Sequence, residues 1–495
     1  LVHAGLFDMP LTKYFNSKRY RDLLVLGGFI ILSVILRFFS FFPVLISHDE
    51  GTYFVIAREL FLGKTYFVDL VDTKPIGIFV LLGLFIKYIS SSIFMIRLFA
   101  AIVIAFTSFT IYKISLFDQG QQKPAIAAGA IFIFMLSVFT HFGVFINPEL
   151  FYTLFTAISF YIFIRTEKVS GYLLLGFLLG FGFILKYVVL FDMAAWLMYI
   201  FIAALVRNEW KSTRKVFVNC MAACMGFLVP FGVVIIYYYV IGHLDEIWFY
   251  TFGVTSRIPV ERTLISTLVY IGDFHLRFLP VTFFFYYALF KASRNEFSPK
   301  ISNGLIITWS VMVLVAIIIP GKPFGHYFIQ FMLPVSIVAG RFFRSDLVKP
   351  YWMTKITSHP TGSLIILLLI VGNVFMQKHD YFDKPDMPAQ IAEYLAPRLK
   401  PDDRIYTGNF EAVLYYLLEK ESPVKYVHRS LMCNPQHRES LNIDLPYEME
   451  VLMSKDLDYI LMKSAYCYEP LNTFIDVNYY LLAEFPGEIC IYKRK

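Results

Sequence analysis

The sequence predicts a polytopic α-helical membrane protein of about eleven transmembrane helices, with interfacial helices in its first outer loop and a small C-terminal α/β domain. Three observations carry this prediction. Apolar residues fill 58% of the 495 positions and charged ones only 16%, where soluble globular chains carry about 25% charged residues. Long apolar runs recur through most of the chain, as membrane spans require. Phe (53) and Tyr (33) are abundant, which suits lipid-facing surfaces and interfacial belts. The net charge of +7 is modest and lies mostly in short loops. It therefore reports topology and gives no reason to expect a nucleic-acid partner.

Apolar segments fall near 23–46, 76–90, 93–116, 124–146, 149–164, 171–185, 187–206, 216–241, 267–290, 303–320, 326–345 and 361–377. Basic residues mark cytoplasmic loops, and they cluster around Lys18, Arg19 and Arg21, Lys113 and Lys123, Arg165 and Lys168, Arg214 and Lys215, Lys291 and Arg294, and Arg341 and Arg344. All of these fall on one side only if segment 76–90 does not cross. That segment would be about 20 Å long as a helix, against a hydrocarbon core of about 30 Å. It reads as re-entrant or interfacial, which leaves eleven spans, a cytoplasmic N-terminus and an external C-terminal domain. The first apolar run is long enough to stay as a span, and no cleavable leader is evident.

Beyond residue 377 the chain turns polar and proline-punctuated, so 1–377 reads as a transmembrane domain and 378–495 as a soluble one. In the latter, "MPAQIAEYLAPRL" and "FEAVLYYLLEK" have helical periodicity. "DRIYTG", "VKYVH" and "LDYILMK" read as strands, and "YYLLAEFPGEICIYKRK" as a terminal hairpin. Cys220 and Cys224 sit one turn apart in an apolar run and read as small helix residues. Two of Cys433, Cys467 and Cys490 could pair if this domain faces an oxidising compartment.

The polar residues left over collect on the outer side. Ser47-His48-Asp49-Glu50 follows the first span; Ser47 and Glu50 read as a capping box for the interfacial helix that contains Tyr53. That reading leaves Asp49 unexplained, a carboxylate kept ionised by the helix dipole. Asp69, Asp72 and Lys74 precede the short apolar segment, with Asp72 or Thr73 as its cap and Pro75 in its first turn. Lys74 beside free backbone N–H groups suits a lipid phosphate. Asn147-Pro148-Glu149 is a complete helix-start signal, and Glu149 is also a candidate second carboxylate. Lys186 is either a snorkelling lysine or a site cation. Arg257, Glu261 and Arg262 lie in a later outer loop, where solvated charge is the ordinary reading. Lys322, His326 and Tyr327 stand at the mouth of a late span, as belt residues or as site groups.

Asp49, Glu50 and Tyr53, then Lys74-Pro75, Pro148-Glu149, Lys186 and His326-Tyr327 together resemble the GT-C membrane glycosyltransferases. The branch they resemble is that of the protein O-mannosyltransferases and aminoarabinose transferases, over roughly residues 20–340. Two departures stand out: Ile76 where a second proline is usual, and Glu149 where Asp is frequent. The resemblance implies an enzyme that transfers a sugar from a polyprenyl-phosphate donor, with inversion, to a hydroxyl on a lipid, glycan or protein. The site would face outward from the bacterial inner (cytoplasmic) membrane. Asp49 would be the general base, and Lys74, Lys186, Arg257, Arg262, His326 and Tyr327 would receive the donor phosphate. Glu149 would be a second catalytic-site acid, and Glu50 and Tyr53 structural or acceptor-side groups. The resemblance leaves room for a divalent cation, although no ligand spacing calls for one. Two other classes fit the same acids: a flippase of lipid-linked saccharides and a non-catalytic assembly subunit. Charges at helix ends and the absence of visible repeats favour the enzyme over the transporter.

Overall fold

The computed structural model describes residues 18–207, 210–257, 262–356 and 360–495. The membrane part begins with α1 (Lys18–Arg37), α2 (His48–Leu60), α3 (Ile76–Tyr88), α4 (Ile93–Gln119), α5 (Gln122–Val138), α6 (Pro148–Phe163) and α7 (Val169–Leu185). It continues with α8 (Val189–Arg207), α9 (Trp210–Val240), α10 (Leu264–Arg277), α11 (Leu279–Ser293), α12 (Asn303–Ile318), α13 (Ile329–Arg341) and α14 (Thr361–Gln377). Among the described residues, five helices are long and apolar enough to cross a bilayer, and six if α10 and α11 form one span. Five more apolar helices, α3 among them, are shorter.

Two of the expected spans are interrupted. Segment 267–290 breaks between α10 and α11 with a bend of 95°, because Pro280 at the start of α11 can neither donate to the preceding turn nor fit inside it. Segment 124–146 is helical only to Val138. Buried Arg37, at the end of α1, donates to the carbonyls of Leu136, Gly143 and Val144 (3.0, 2.8 and 2.5 Å). The Leu136 bond satisfies an acceptor that the end of α5 leaves open, and a π-helical turn over Thr140–Val144, broken at Gly143, leads on to Asn147.

The path of the chain between α1 and α4 accords with a non-crossing α3. Lys113 near the end of α4 pairs with Asp22 near the start of α1 (2.7 Å), so those two ends lie together. Both ends of α3 lie at the opposite end of the bundle. Lys74 just before it meets Asp49 (3.6 Å), and the Ser91 carbonyl just after it accepts from the Tyr416 hydroxyl of the C-terminal domain (2.6 Å). Gly77 fixes where α3 starts, since a Cβ there would collide with the Ile184 carbonyl at the end of α7. This contact brings the loop that carries Lys74 against the break that carries Lys186. Farther along, Gly176 and Gly180 of α7 and Gly226 of α9 let these two helices approach to backbone contact, the small-residue packing common in membranes.

The C-terminal domain carries a four-stranded sheet in the order β1-β2-β4-β3, with β1 (Ile405–Tyr406), β2 (Tyr459–Lys463), β3 (Tyr479–Phe485) and β4 (Ile489–Arg494). β1 runs parallel to β2, and the other pairs are antiparallel. Helices α15 (Met387–Leu395), α16 (Leu445–Met453) and α17 (Glu469–Asn478) flank it. Cys433 and Cys467 form a disulfide, while Cys220, Cys224 and Cys490 are free. "VKYVH" corrects one expectation, since it joins no strand of the sheet. Tyr426 bridges in parallel to Val71 of the first outer loop, and the Val71 N–H donates to the Lys425 carbonyl (2.9 Å). Buried Phe410, Val413 and Leu414 belong to the same apolar core as Phe54 and Phe79. The domain is thus packed onto the membrane part as a roof.

Candidate active site

Asp49 lies in the first turn of α2, with its side chain about one-quarter exposed. Its Oδ1 is 3.6 Å from Lys74 Nζ and 3.1 Å from His428 Nε2. Among the described residues, its Oδ2 has no hydrogen bond or ion pair. Burial works to raise this carboxyl, but Lys74 and then His428 outweigh it and hold it well below the usual carboxylate range. Lys74 is likewise desolvated by burial, and Asp49 and Asp72 nevertheless hold its ammonium well above the ordinary lysine range. Lys74 Nζ also lies 3.5 Å from Asp72 Oδ1 and 5.7 Å from the Tyr53 ring centroid. The Tyr66 hydroxyl donates to the carbonyls of Asp72 and Lys74 (3.0 and 2.6 Å), fixing the loop between them.

A second group adjoins this one. Asn147 caps α6 by accepting from the Leu150 N–H (3.3 Å), with Pro148 in the first turn, as the sequence signal predicts. That start aims Glu149 inward, where it is buried. Its Oε1 accepts from Lys186 and lies 3.9 Å from His326 Nε2, while its Oε2 is buried without a partner. Lys186 therefore faces inward and does not snorkel, with its ammonium 4.1 Å from the Tyr327 ring centroid. Burial lowers this ammonium, and Glu149 offsets part of the effect. His326 is held between Phe145 and Phe324 (ring centroids 5.6 and 5.5 Å). Burial pushes its imidazole down to about 4, so it is neutral near neutral pH. The fields of the two groups overlap: Lys74 acts on Lys186, and His326 on Asp49. A small cavity lined by Glu149, Tyr152, Lys186, Tyr327 and Gln330 opens beside them.

Two helix-start readings are corrected. Ser47 occupies the N-cap position of α2, but its side chain makes no cap bond, and Glu50 does not complete a capping box. Glu50 is buried against Arg97 of α4, which donates to both its oxygens (2.8 and 2.7 Å), and it also accepts from the Ile46 and Ile146 N–H groups. A buried guanidinium outcompetes a backbone cap because each charge would otherwise be stranded in low dielectric. Neither Asp72 nor Thr73 caps α3, whose N-cap position is Pro75. Arg257 stands apart from the cluster, bonded to Asn442 of the C-terminal domain (2.8 Å). Arg262 packs over Tyr270 (4.0 Å to the centroid), and its field reaches Tyr327 at the margin of the site. Glu261 lies outside the described residues. Lys322 donates to Gln436 of the roof (3.2 Å).

The roof supplies what the sequence reading missed. His428 sits on Asp49, and beside it Glu411 accepts from Arg429 (3.0 Å) and pairs with His48 Nδ1 (2.6 Å). Among the described residues, no group of three or more His, Cys, Asp and Glu side chains is arranged to hold a metal ion.

Residues 73–240 match the family model described as dolichyl-phosphate-mannose-protein mannosyltransferase. No curated protein matches the chain by sequence. Among solved structures, ArnT from Cupriavidus metallidurans bound to undecaprenyl phosphate superposes with a TM-score of 0.68 at 14% identity, over 96% of this chain and 98% of that one. Its apo form gives 0.67 at 14% identity, with the same coverage. The oligosaccharyltransferase AglB from Archaeoglobus fulgidus, in complex with an inhibitory peptide and a dolichol-phosphate, gives 0.51 at 11% identity, over 97% of this chain and 75% of that one. At these identities the likeness to solved structures is one of fold. Family model and fold together thus make residues 73–240 similar to the dolichyl-phosphate-mannose-protein mannosyltransferases and give the chain an ArnT-like fold.

Proposed function

We propose that this protein transfers a sugar from a polyprenyl-phosphate carrier to an acceptor hydroxyl at the outer face of the cytoplasmic membrane, with inversion and with Asp49 as general base. The observation that carries this reading is the division of labour within Asp49. One oxygen is anchored between Lys74 and His428, and the other is open beside a half-buried cation. The fold shared with ArnT, which binds undecaprenyl phosphate in Cupriavidus metallidurans, supports the lipid carrier.

The chemistry follows from the charges. The acceptor oxygen attacks the anomeric carbon, its proton passes to Asp49 Oδ2, and the bond from that carbon to the phosphate oxygen breaks with its electrons. A phosphate leaving group is a weak base and needs cations more than an acid. Lys74 and Lys186 are the half-buried cations nearest to hand, with Tyr327 beside Lys186 and Arg262 at the margin. An arriving phosphate shares Lys74 with Asp49. The carboxylate then loses part of the attraction that depresses its basicity, so donor binding itself strengthens the base. Glu149, already paired with Lys186, orients the acceptor through its open oxygen.

The disulfide between Cys433 and Cys467 supports an oxidising compartment for the roof, and the basic loops at the far end support a cytoplasmic side there. A reporter fused after residue 118 should read as cytoplasmic; a periplasmic signal would reverse the topology. Activity is tested with full-length protein and the total lipid extract of a strain that lacks it, supplemented with that strain's delipidated envelope, which together supply the donor and lipid, glycan and protein acceptors. Mass spectrometry should show loss of a polyprenyl-phosphate-linked sugar and appearance of polyprenyl phosphate with the wild type, and neither change with Asp49→Asn. Intact donor after prolonged incubation with the wild type would sink the assignment.

A further inference from the structure

The contact between Asp49 and His428 joins the start of the membrane part to the roof, and its geometry is specific. His428 Nδ1 faces the Ser430 backbone N–H (3.3 Å) and the Ser430 hydroxyl (2.8 Å). A backbone N–H can only donate, so Nδ1 is the lone-pair nitrogen and the ring proton sits on Nε2. Nε2 is the atom that meets Asp49 Oδ1 (3.1 Å). The tautomer is therefore fixed on one side of the ring by what the other side accepts, as with oriented imidazoles elsewhere.

The backbone sets the same arrangement. The parallel bridge between Val71 and Tyr426 aligns two segments of chain in one direction. Three residues beyond Val71 the first outer loop delivers Lys74, and two residues beyond Tyr426 the roof delivers His428. Both side chains converge on Asp49 Oδ1. Next to them, Arg429, Glu411 and His48 link the same roof segment to the first turn of α2, with Arg429 Nη2 2.6 Å from His48 Nε2.

Resting on the transferase reading above, we propose that the roof completes the catalytic centre, and that His428 is a positioning residue whose Nε2–H holds Asp49 Oδ1 so that Oδ2 faces the acceptor hydroxyl. A carboxylate tethered to Lys74 alone would rotate freely about its terminal torsion, which is broad and two-fold. A second donor from the roof fixes the plane. His428 takes no proton in this scheme; the acceptor's proton goes to Asp49 and nowhere else.

The test separates positioning from mere support of the roof. In the lipid-extract assay, His428→Ala should lower kcat about ten- to a hundredfold, the range set by one hydrogen bond to an ionised group. The KM for the donor, and the affinity for added undecaprenyl phosphate, should stay within about twofold, since Lys74 is untouched. His428→Gln places an amide N–H near the same point and should recover most of kcat. A kcat for His428→Ala within about twofold of wild type would overturn the proposal. So would a His428→Gln protein as slow as the alanine variant, or a parallel loss of undecaprenyl phosphate binding, which marks a collapsed roof. If the wild type itself consumes no lipid-linked sugar, the transferase reading fails and this inference falls with it. An active wild type beside an equally active His428→Ala sinks the inference alone.

Discussion

The two ends of the helical bundle bury the same kinds of ions and treat them differently. At the basic end, Asp118 has both oxygens engaged: Oδ1 accepts from the Ile301 N–H (2.8 Å) and Oδ2 from Arg341 Nε (2.9 Å). Arg341 spends its remaining donors on Asn303 and the Ile301 carbonyl (2.8 and 3.0 Å). At the roofed end, Asp72 Oδ2 and Glu149 Oε2 are buried without partners among the described residues, and Asp49 Oδ2 is open. A buried acceptor left unmade costs about 1–3 kcal/mol, so a purely structural region would discard the two buried ones. Closed networks hold helices together; open ones wait for a ligand.

The largest expected effect breaks this contrast at its functional side. Asp49→Asn should reduce turnover about 10²–10⁴-fold, the usual contribution of a general base, with undecaprenyl phosphate affinity and thermal midpoint close to wild type. Arg341→Ala attacks the closed network and should cost about 3–5 kcal/mol by stranding Asp118. It would be read as a lowered Tm in detergent, while protein kept cold binds undecaprenyl phosphate normally. A normal Tm for Arg341→Ala, or an unstable Asp49→Asn, would erase the distinction between the two ends.

Lys74→Met comes next, weakening undecaprenyl phosphate binding about ten- to a hundredfold by the loss of a charge-assisted contact. It also carries a pH signature. Lys74 holds the Asp49 carboxyl low against a burial effect that raises it, and the base works only when ionised. Without Lys74 the acid limb of kcat/KM should move to higher pH; an unmoved limb would remove Asp49 from the base role. The smallest effect concerns His326, whose folded imidazole titrates at about 4 against about 6.5 when unfolded. Its contribution to stability is complete above about 6.5 and is lost as pH falls toward 4, because only the unfolded chain takes up the proton. His326→Gln should flatten that part of the Tm-versus-pH curve.

The sequence exposed the half of the site built by membrane helices, for a physical reason. A charge between apolar runs is costly, so Asp49, Lys74, Glu149, Lys186 and His326 stood out against their surroundings. His428 and Glu411 did not, because they lie in the polar C-terminal domain, where ionisable residues are ordinary, and the stretch around Tyr426 read as a strand of its sheet. The capping box misled because its rule sees four residues, whereas the partner of Glu50 is Arg97, 47 positions away. The break at Pro280 was written in the sequence, and the apolar run simply masked it.

The clasp between Arg429 and His48 spans 381 positions, and this orders events during biosynthesis. A ribosome delivers Asp49 and Lys74 early, before most of the helical bundle has been made. His428 and Arg429, the roof residues that meet Asp49 and His48, emerge only after the helical bundle. Chains made only as far as the bundle hold Asp49 and Lys74 without the His428 contact. The same arrangement makes the Asp49 cluster a marker of docking, since His428 reaches it only when the roof and the helical bundle have come together.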